Sequence, residues 1–180
     1  MNITTIGRGT IGGGLARLWR EAGHDVTELG RDGGDASDAD AVLIAVPGAK
    51  ISEALGKVSG LEGKIAIDAT NVLPSRQSDF PSYAEEVQSF TGGPVAKAFN
   101  MNFGHLFGEV RKQRVRPSNW YVADDAAVAV TERLIRDAGY DPVRVGDLSR
   151  ARDFENAVWL LMGIQPVGGV FYRFAVPGEL

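Results

Sequence analysis

Apolar positions along this chain follow two alternating rhythms. Short continuous runs are separated by stretches in which apolar residues return every three or four positions. Ile3-Thr4-Thr5-Ile6 reads as a short strand, and Leu15, Ala16, Leu18 and Trp19 then recur at helical spacing. Val26-Thr27-Glu28-Leu29 is a second strand. Ala41-Val42-Leu43-Ile44-Ala45-Val46 is an unbroken apolar run ending at Pro47-Gly48, which suits a central strand buried on both faces. The pattern then predicts an amphipathic helix over Ile51–Val58, a strand over Lys64–Asp68, a helix over Ser82–Phe90 and a strand over Pro94–Ala98. Asn119–Ala123 is a strand, Asp125–Ala138 a helix and Pro142–Val145 a last short strand. Ser149–Met162 is a helix with Phe154, Ala157, Val158, Leu161 and Met162 on one side. Strands alternating with helices predict a doubly wound α/β fold around a mainly parallel sheet. Residues 1–147 are expected to form the main domain, and residues 148–180 a short helix and tail that is not an independent domain. No internal repeat or low-complexity linker interrupts the pattern.

The first turn adds chemistry. Gly7-Arg8-Gly9-Thr10-Ile11-Gly12 lies between a strand and a helix, the context in which a GxGxxG match counts as a dinucleotide fingerprint and the fold as Rossmann-like. Gly7 permits the tight turn, Gly9 lets backbone approach a pyrophosphate, and Gly12 lets helix and strand pack closely. The helix N-terminus offers unpaired N–H groups and a positive dipole end to the phosphates. The second strand ends in Gly30-Arg31. An NAD-type site places Asp or Glu at that tip, on the ribose hydroxyls. A guanidinium there suits a 2′-phosphate instead. Arg8, between the first two glycines, is a second candidate for the same phosphate.

The link after Arg31 is short. A dinucleotide fold normally places a helix and a third strand between its second and fourth strands. Here only Arg31 to Asp40 precede Ala41. Ten extended residues reach about 33 Å, enough to return along one strand of roughly 17 Å and step across two gaps of about 5 Å. A further helix plus strand does not fit. The usual third strand is therefore expected to be deleted, with Asp32-Gly33-Gly34-Asp35-Ala36-Ser37-Asp38 forming a loop or one helical turn. A regular strand between Gly30 and Ala41 would contradict this.

Composition narrows the function classes. The 180 residues suffice for one domain with a full core. Hydrophobic content of 44% and charged content of 23% are ordinary for a soluble protein. The net charge of −4 argues against a general nucleic-acid surface. With no cysteine, thiolate catalysis and disulfides are excluded. His24 and His105 alone cannot form a histidine-rich metal site. No apolar run reaches the roughly 18–20 residues of a membrane span. The N-terminus enters a strand without a signal-peptide pattern, so a cytoplasmic location is expected.

Ligands in open α/β sheets bind beside the carboxyl ends of the strands. Pro47, Ala69, Thr70 and Asn71 follow predicted strands and are expected to line the nicotinamide half; Asn100 also follows a strand and is expected near the ligand, and Val46 ends the strand before Pro47. The candidate cofactor-binding set is thus Gly7, Arg8, Gly9, Thr10, Ile11, Gly12, Arg31, Val46, Pro47, Ala69, Asn71 and Asn100. No residue stands out as a catalytic acid or base. His105 reads as a surface or structural histidine, and Arg111 to Arg116 as a solvated basic loop rather than a clamp on an acidic substrate. Asp68 reads as a structural strand end and Asp124-Asp125 as a helix N-cap.

These segments resemble the deazaflavin-coenzyme-dependent NADP oxidoreductases, whose domain is shared with ferric reductases that carry an N-terminal oxidoreductase domain. The matching stretches are Ile6 to Gly12, Gly30-Arg31, Ala45-Val46-Pro47, Ile67-Asp68-Ala69-Thr70-Asn71, Val95-Ala96-Lys97-Ala98-Phe99-Asn100, and Gly146 to Arg152 at the start of the last helix. The resemblance implies hydride transfer between NADP(H) and a flat flavin- or deazaflavin-like acceptor. It implies Arg31, with Arg8, at the 2′-phosphate, Pro47 and Asn71 near the nicotinamide, Asn100 close to the acceptor, and a homodimer. The chain departs from the family in its short link, in Thr10 where Asn is usual, and in its brief stretch after Arg152. Two rival readings are a reductase of a small imine or carbonyl compound with its site completed across a dimer, and an NADP(H)-sensing module without turnover. The expected partners are small molecules, not nucleic acid or membrane.

Overall fold

The computed structural model describes residues 1–72, 78–164 and 169–178. β1 (Asn2–Ile6) enters α1 (Thr10–Glu21) through the glycine turn, and β2 (Asp25–Leu29) follows. A two-residue strand, β3 (Gly34–Asp35), precedes β4 (Ala41–Ile44). A 3₁₀ turn at Gly48–Lys50 leads into α2 (Ile51–Leu55) and the two-residue β5 (Val58–Ser59). Then come β6 (Ile65–Asp68), α3 (Tyr83–Thr91), β7 (Val95–Ala98), a 3₁₀ segment at Gly104–Lys112, β8 (Ser118–Ala123), α4 (Asp125–Asp137), β9 (Asp141–Gly146) and α5 (Ala151–Met162).

Seven strands form one sheet in the order β2-β1-β4-β6-β7-β8-β9. Every pairing is parallel except β7 with β8. β4 explains the sandwich. Ala41 and Leu43 point into one core cluster and Val42 and Ile44 into the other, all with 0% exposure. On the first face lie Leu15, Leu18 and Trp19 of α1, Leu134 and Ile135 of α4, and Phe107 and Val110 of the 3₁₀ segment. On the second lie Ile51 and Leu55 of α2, Tyr83 and Val87 of α3, and Phe154 and Val158 of α5. The α3 start is set by Ser82, whose hydroxyl accepts from Glu85 N at 3.1 Å. Its end is set by Gly92 in the left-handed region at φ 57°. No helix among the described residues is long and apolar enough to cross a membrane.

The main sheet ends at β2, so the usual further edge strand is missing from it, as the short link predicts. The link is nevertheless not a plain loop. Its β3 pairs in parallel with β5, as Gly34 with Val58 and Asp35 with Ser59, in a separate two-stranded ladder. That pairing also corrects the predicted helix over Ile51–Val58. α2 stops at Leu55 because the backbone from Val58 is engaged by the link.

The basic stretch is partly helical rather than a loop. Arg111 lies in the last turn of the 3₁₀ segment and donates to the Leu18 and Asp137 carbonyls at 3.1 and 2.8 Å, tying that segment to the last turns of α1 and α4. Asp124 occupies the N-cap position of α4 but caps nothing with its side chain. Its carboxylate accepts from Val95 N and Gln88 Nε2, both at 2.9 Å.

Candidate functional site

The sheet order reverses direction at β1. The chain goes from β1 to β2 on one side and resumes at β4 on the other. Ligand crevices of open α/β sheets lie at such a switch point, beyond the carboxyl ends of the strands. A cleft of about 880 Å³ lies there, a volume suited to a nucleotide-sized ligand. Its floor is Gly7, Arg8 and Gly9 after β1 and Ala45, Val46 and Pro47 after β4. One wall is Gly30, Arg31 and Asp32 at the tip of β2. The other is Lys50, Glu53, Ala54 and Lys57 around α2.

The glycines of the turn differ in what they permit. Gly7 has φ +110°, and a Cβ there would collide with the Ala45 carbonyl. A Cβ on Gly12 would collide with the Gly7 carbonyl, so this glycine lets α1 pack against the turn. Gly9 is unlike both. Its φ is −77°, and a Cβ there would meet no protein atom within 4 Å. Packing does not demand a glycine at that point, whereas close approach of a ligand to the backbone does. Gly9 also caps α1 without a side-chain acceptor, and no acidic residue occupies the first turn. The helix end therefore offers its N–H groups to an anion.

Arg8 turns back over the tip of β2. A Cβ on Gly30 would lie 2.8 Å from Arg8 Cζ and 2.9 Å from its Nε, so the guanidinium rests against the glycine. Arg31 is the next residue and shares the cleft. The carboxylate nearest the tip on β2, Glu28, is engaged by Arg20 Nη1 at 2.6 Å. Lys50 and Lys57 approach Glu53 at 2.9 and 3.2 Å. These two ammonium groups hold Glu53 below the usual carboxylate range. Four cations thus face two carboxylates in the cleft, on a chain of net charge −4.

The remaining predicted residues lie outside this cleft's lining. Thr10 is exposed at the start of α1, and Ile11 is half-buried. Ala69 and Asn71 follow β6, and Asn100 follows β7. The two asparagines meet: Asn71 Nδ2 donates to the Asn100 carbonyl at 2.8 Å, and Asn100 Nδ2 to Asn71 Oδ1 at 3.3 Å. Asn100 is 4% exposed, and its Oδ1 has no hydrogen-bond partner among the described residues. Phe99, just before it, has φ 63°, a strained conformation for a bulky residue. Edge contacts with Trp19 and Tyr140, at centroid distances of 5.9 and 6.3 Å, hold it there. His105 lies outside the cleft; a Cβ on Gly169 would come 2.8 Å from its Nε2.

A buried charge cluster escaped the sequence reading. Lys97, Asp68 and Glu155 all have side chains with 0% exposure. Lys97 Nζ lies 2.5 Å from Asp68 Oδ2 and 3.2 Å from Glu155 Oε1, and donates to the Thr70 carbonyl at 3.0 Å. Thr70 N donates to Asp68 Oδ1 at 2.8 Å. The cluster therefore fixes the turn that carries Asn71. Glu155, from α5, accepts from Tyr83 N at 2.7 Å. Burial pushes its carboxyl above the usual range, and Lys97 opposes the shift. A lysine in an apolar strand was the available signal, but its two partners are 29 and 58 positions away and no local pattern pairs them.

No protein-family model matches the chain, and no curated protein matches it. Solved structures do. A candidate F420-dependent NADP-reductase from Arthrobacter sp. FB24 superposes with a TM-score of 0.75 at 24% identity, over 89% of this chain and 91% of that one. A hypothetical protein from Sinorhizobium meliloti gives 0.68 at 23% identity, over 96% and 93%. An imine reductase from Streptomyces aurantiacus gives 0.65 at 16% identity, over 90% of this chain but 62% of that one. These likenesses, with the sheet order above, establish a Rossmann-like α/β fold.

Proposed function

We propose that this protein is an NADP(H)-dependent oxidoreductase that passes hydride between NADP(H) and a flavin- or deazaflavin-like acceptor. One observation carries the cofactor: the Arg8 guanidinium lies over Gly30 beside Arg31, at the strand tip where an NAD site needs a carboxylate. The residues present fit the group. The α1 N-terminus, with Gly9 open above it, holds the pyrophosphate, and Arg8 and Arg31 take the 2′-phosphate. Val46 and Pro47 lead from the cleft floor towards the nicotinamide half, and the Asn71–Asn100 pair stands at the neighbouring strand ends. When bound, the nicotinamide supplies or accepts the hydride, and the cofactors carry the chemistry. The protein's part is orientation, and the Asn100 carboxamide, whose buried Oδ1 has no partner among the described residues, stands beyond the carboxyl end of β7. The fold likeness to structures described as an F420-dependent NADP-reductase and an imine reductase supports the class of reaction. A homodimer is part of this reading; Trp159, Leu160 and Met162 of α5 are exposed apolar side chains that it would cover.

The test is NADPH oxidation measured with flavins, with a deazaflavin and with small imines or carbonyls. Turnover with a flavin-like acceptor is expected. Turnover confined to imines or carbonyls would favour the first rival, and tight NADPH binding without turnover would favour a sensor.

A further inference from the structure

The sheet ends at β2, and the link that follows is too short to build the usual flanking strand. The adenosine end of the cleft is walled by something else. Gly34 N donates to the Lys57 carbonyl at 3.2 Å and Ala36 N to the Ser59 carbonyl at 2.9 Å, stapling the link to the turn after α2. Asp35 Oδ1 locks this ladder by accepting from Ser37 Oγ at 2.7 Å and Ser59 Oγ at 2.8 Å. Gly33 is pressed so closely on Lys57 that a Cβ would lie 2.6 Å from the Lys57 Cβ. The ladder carries the Lys57 ammonium to the β2 tip. Its Nζ donates to the Arg31 carbonyl at 3.3 Å and lies 3.2 Å from Glu53 Oε1, with the side chain 45% exposed and lining the cleft.

We infer that Lys57 is the third cation of a site for 2′-phosphorylated adenine nucleotides, and that the turn from α2 to β5 replaces the missing strand as the adenosine wall. The inference rests on the NADP(H) reading above. Lys57 sits beside Arg31 because the ladder holds its backbone, and its side chain lines the cleft. Glu53 competes for that ammonium, so a 2′-phosphate must draw Lys57 away from a carboxylate.

The experiment is calorimetric binding of 2′,5′-ADP and 5′-AMP to the full chain, comparing wild type with Lys57→Gln, Lys57→Arg and Glu53→Gln. The Lys57 carbonyl carries the ladder, so Lys57→Gln leaves the fold intact. Expected are a loss of about tenfold for 2′,5′-ADP in Lys57→Gln, one charge-assisted contact's worth, and less than about twofold for 5′-AMP. Lys57→Arg restores affinity, and Glu53→Gln binds 2′,5′-ADP more tightly than wild type. Equal losses for both nucleotides, or an unchanged preference in Lys57→Gln, would overturn the role of Lys57 while leaving the cofactor assignment standing. A wild type that does not distinguish the two nucleotides would overturn that assignment, and this inference with it.

Discussion

The guanidinium of Arg8 rests on the Cα of Gly30, filling the space that a side chain at position 30 would take. Two residues 22 positions apart are thereby made interdependent. Gly30→Ala meets only the far end of a flexible side chain, so the fold survives and Arg8 is displaced. NADPH affinity is expected to fall about tenfold, one charge-assisted contact, with NADH affinity changed less. Arg31→Asp removes the other cation and supplies the carboxylate of an NAD site; it should lower NADPH binding and spare NADH. Equal effects of Arg31→Asp on the two cofactors would refute the 2′-phosphate assignment.

The middle and last glycines of the fingerprint should separate stability from binding. At Gly9, alanine lowers the entropy of the unfolded chain but is a poorer N-cap, and the two effects nearly cancel, leaving stability within about 0.5 kcal/mol. The added methyl projects where the proposed pyrophosphate contact would lie, so nucleotide affinity should drop by about tenfold or more. Gly12→Ala drives a methyl into the Gly7 carbonyl and should cost about 1–3 kcal/mol or more. Urea unfolding and NADPH titration of both variants check this; a Gly9→Ala protein that binds normally would remove the phosphate from this turn.

The β1–α1 turn, the β4 run and the deleted edge strand were legible because each depends on local spacing or on a chain length. The β3–β5 ladder was not. It joins two two-residue strands separated by more than 20 positions, too short to leave an alternation pattern, and it cut the predicted second helix at Leu55. The cluster of Asp68, Lys97 and Glu155 was hidden for a different reason. Its members lie on β6, β7 and α5, and only the packing of α5 on the sheet brings the third carboxylate in. Asn71 and Asn100 lie after their strands as expected, but their mutual hydrogen bonds join two strand ends 29 positions apart, and the positive φ of Phe99 beside them falls where no glycine or asparagine announced it.

Glu155 gives a pH prediction with a definite sign. Its carboxyl is raised above 4.5 by burial, so the folded state holds the proton more tightly than the unfolded chain. The stability this contributes is complete below about pH 4.5 and is lost as pH rises through the raised folded value. Glu155→Gln keeps the acceptor for Tyr83 N and does not ionise. Its stability relative to wild type should therefore increase with pH above that point and then level off. Glu155→Ala lacks the acceptor and leaves Lys97 with one partner fewer; it should be destabilised by about 3–5 kcal/mol, the cost of breaking a buried pair. Urea midpoints across pH 4 to 9 decide, and a flat difference between wild type and Glu155→Gln would count against a shifted carboxyl.

Asn100 tests the acceptor end, where orientation is the proposed contribution. Its Nδ2 is committed to Asn71 Oδ1 at 3.3 Å and to the Phe154 carbonyl at 3.4 Å, while Oδ1 is buried without a partner among the described residues. A buried acceptor left unpaired costs roughly 1–3 kcal/mol, and the strained Phe99 adds to that expense. Both become intelligible if the carboxamide aligns the reacting rings. Asn100→Ser retains a smaller acceptor in the wrong place. The expected result is a fall in kcat of about 10- to 100-fold, the scale of a misplacement near 1 Å. NADPH affinity should stay within about twofold of wild type, because Arg8, Arg31 and Gly9, the proposed phosphate contacts, line the cleft and Asn100 does not. Single-turnover kinetics alongside NADPH titration separate the two quantities. Parallel losses of binding and rate would instead make Asn100 a brace for the turn, leaving the orientation to residues on the cleft floor.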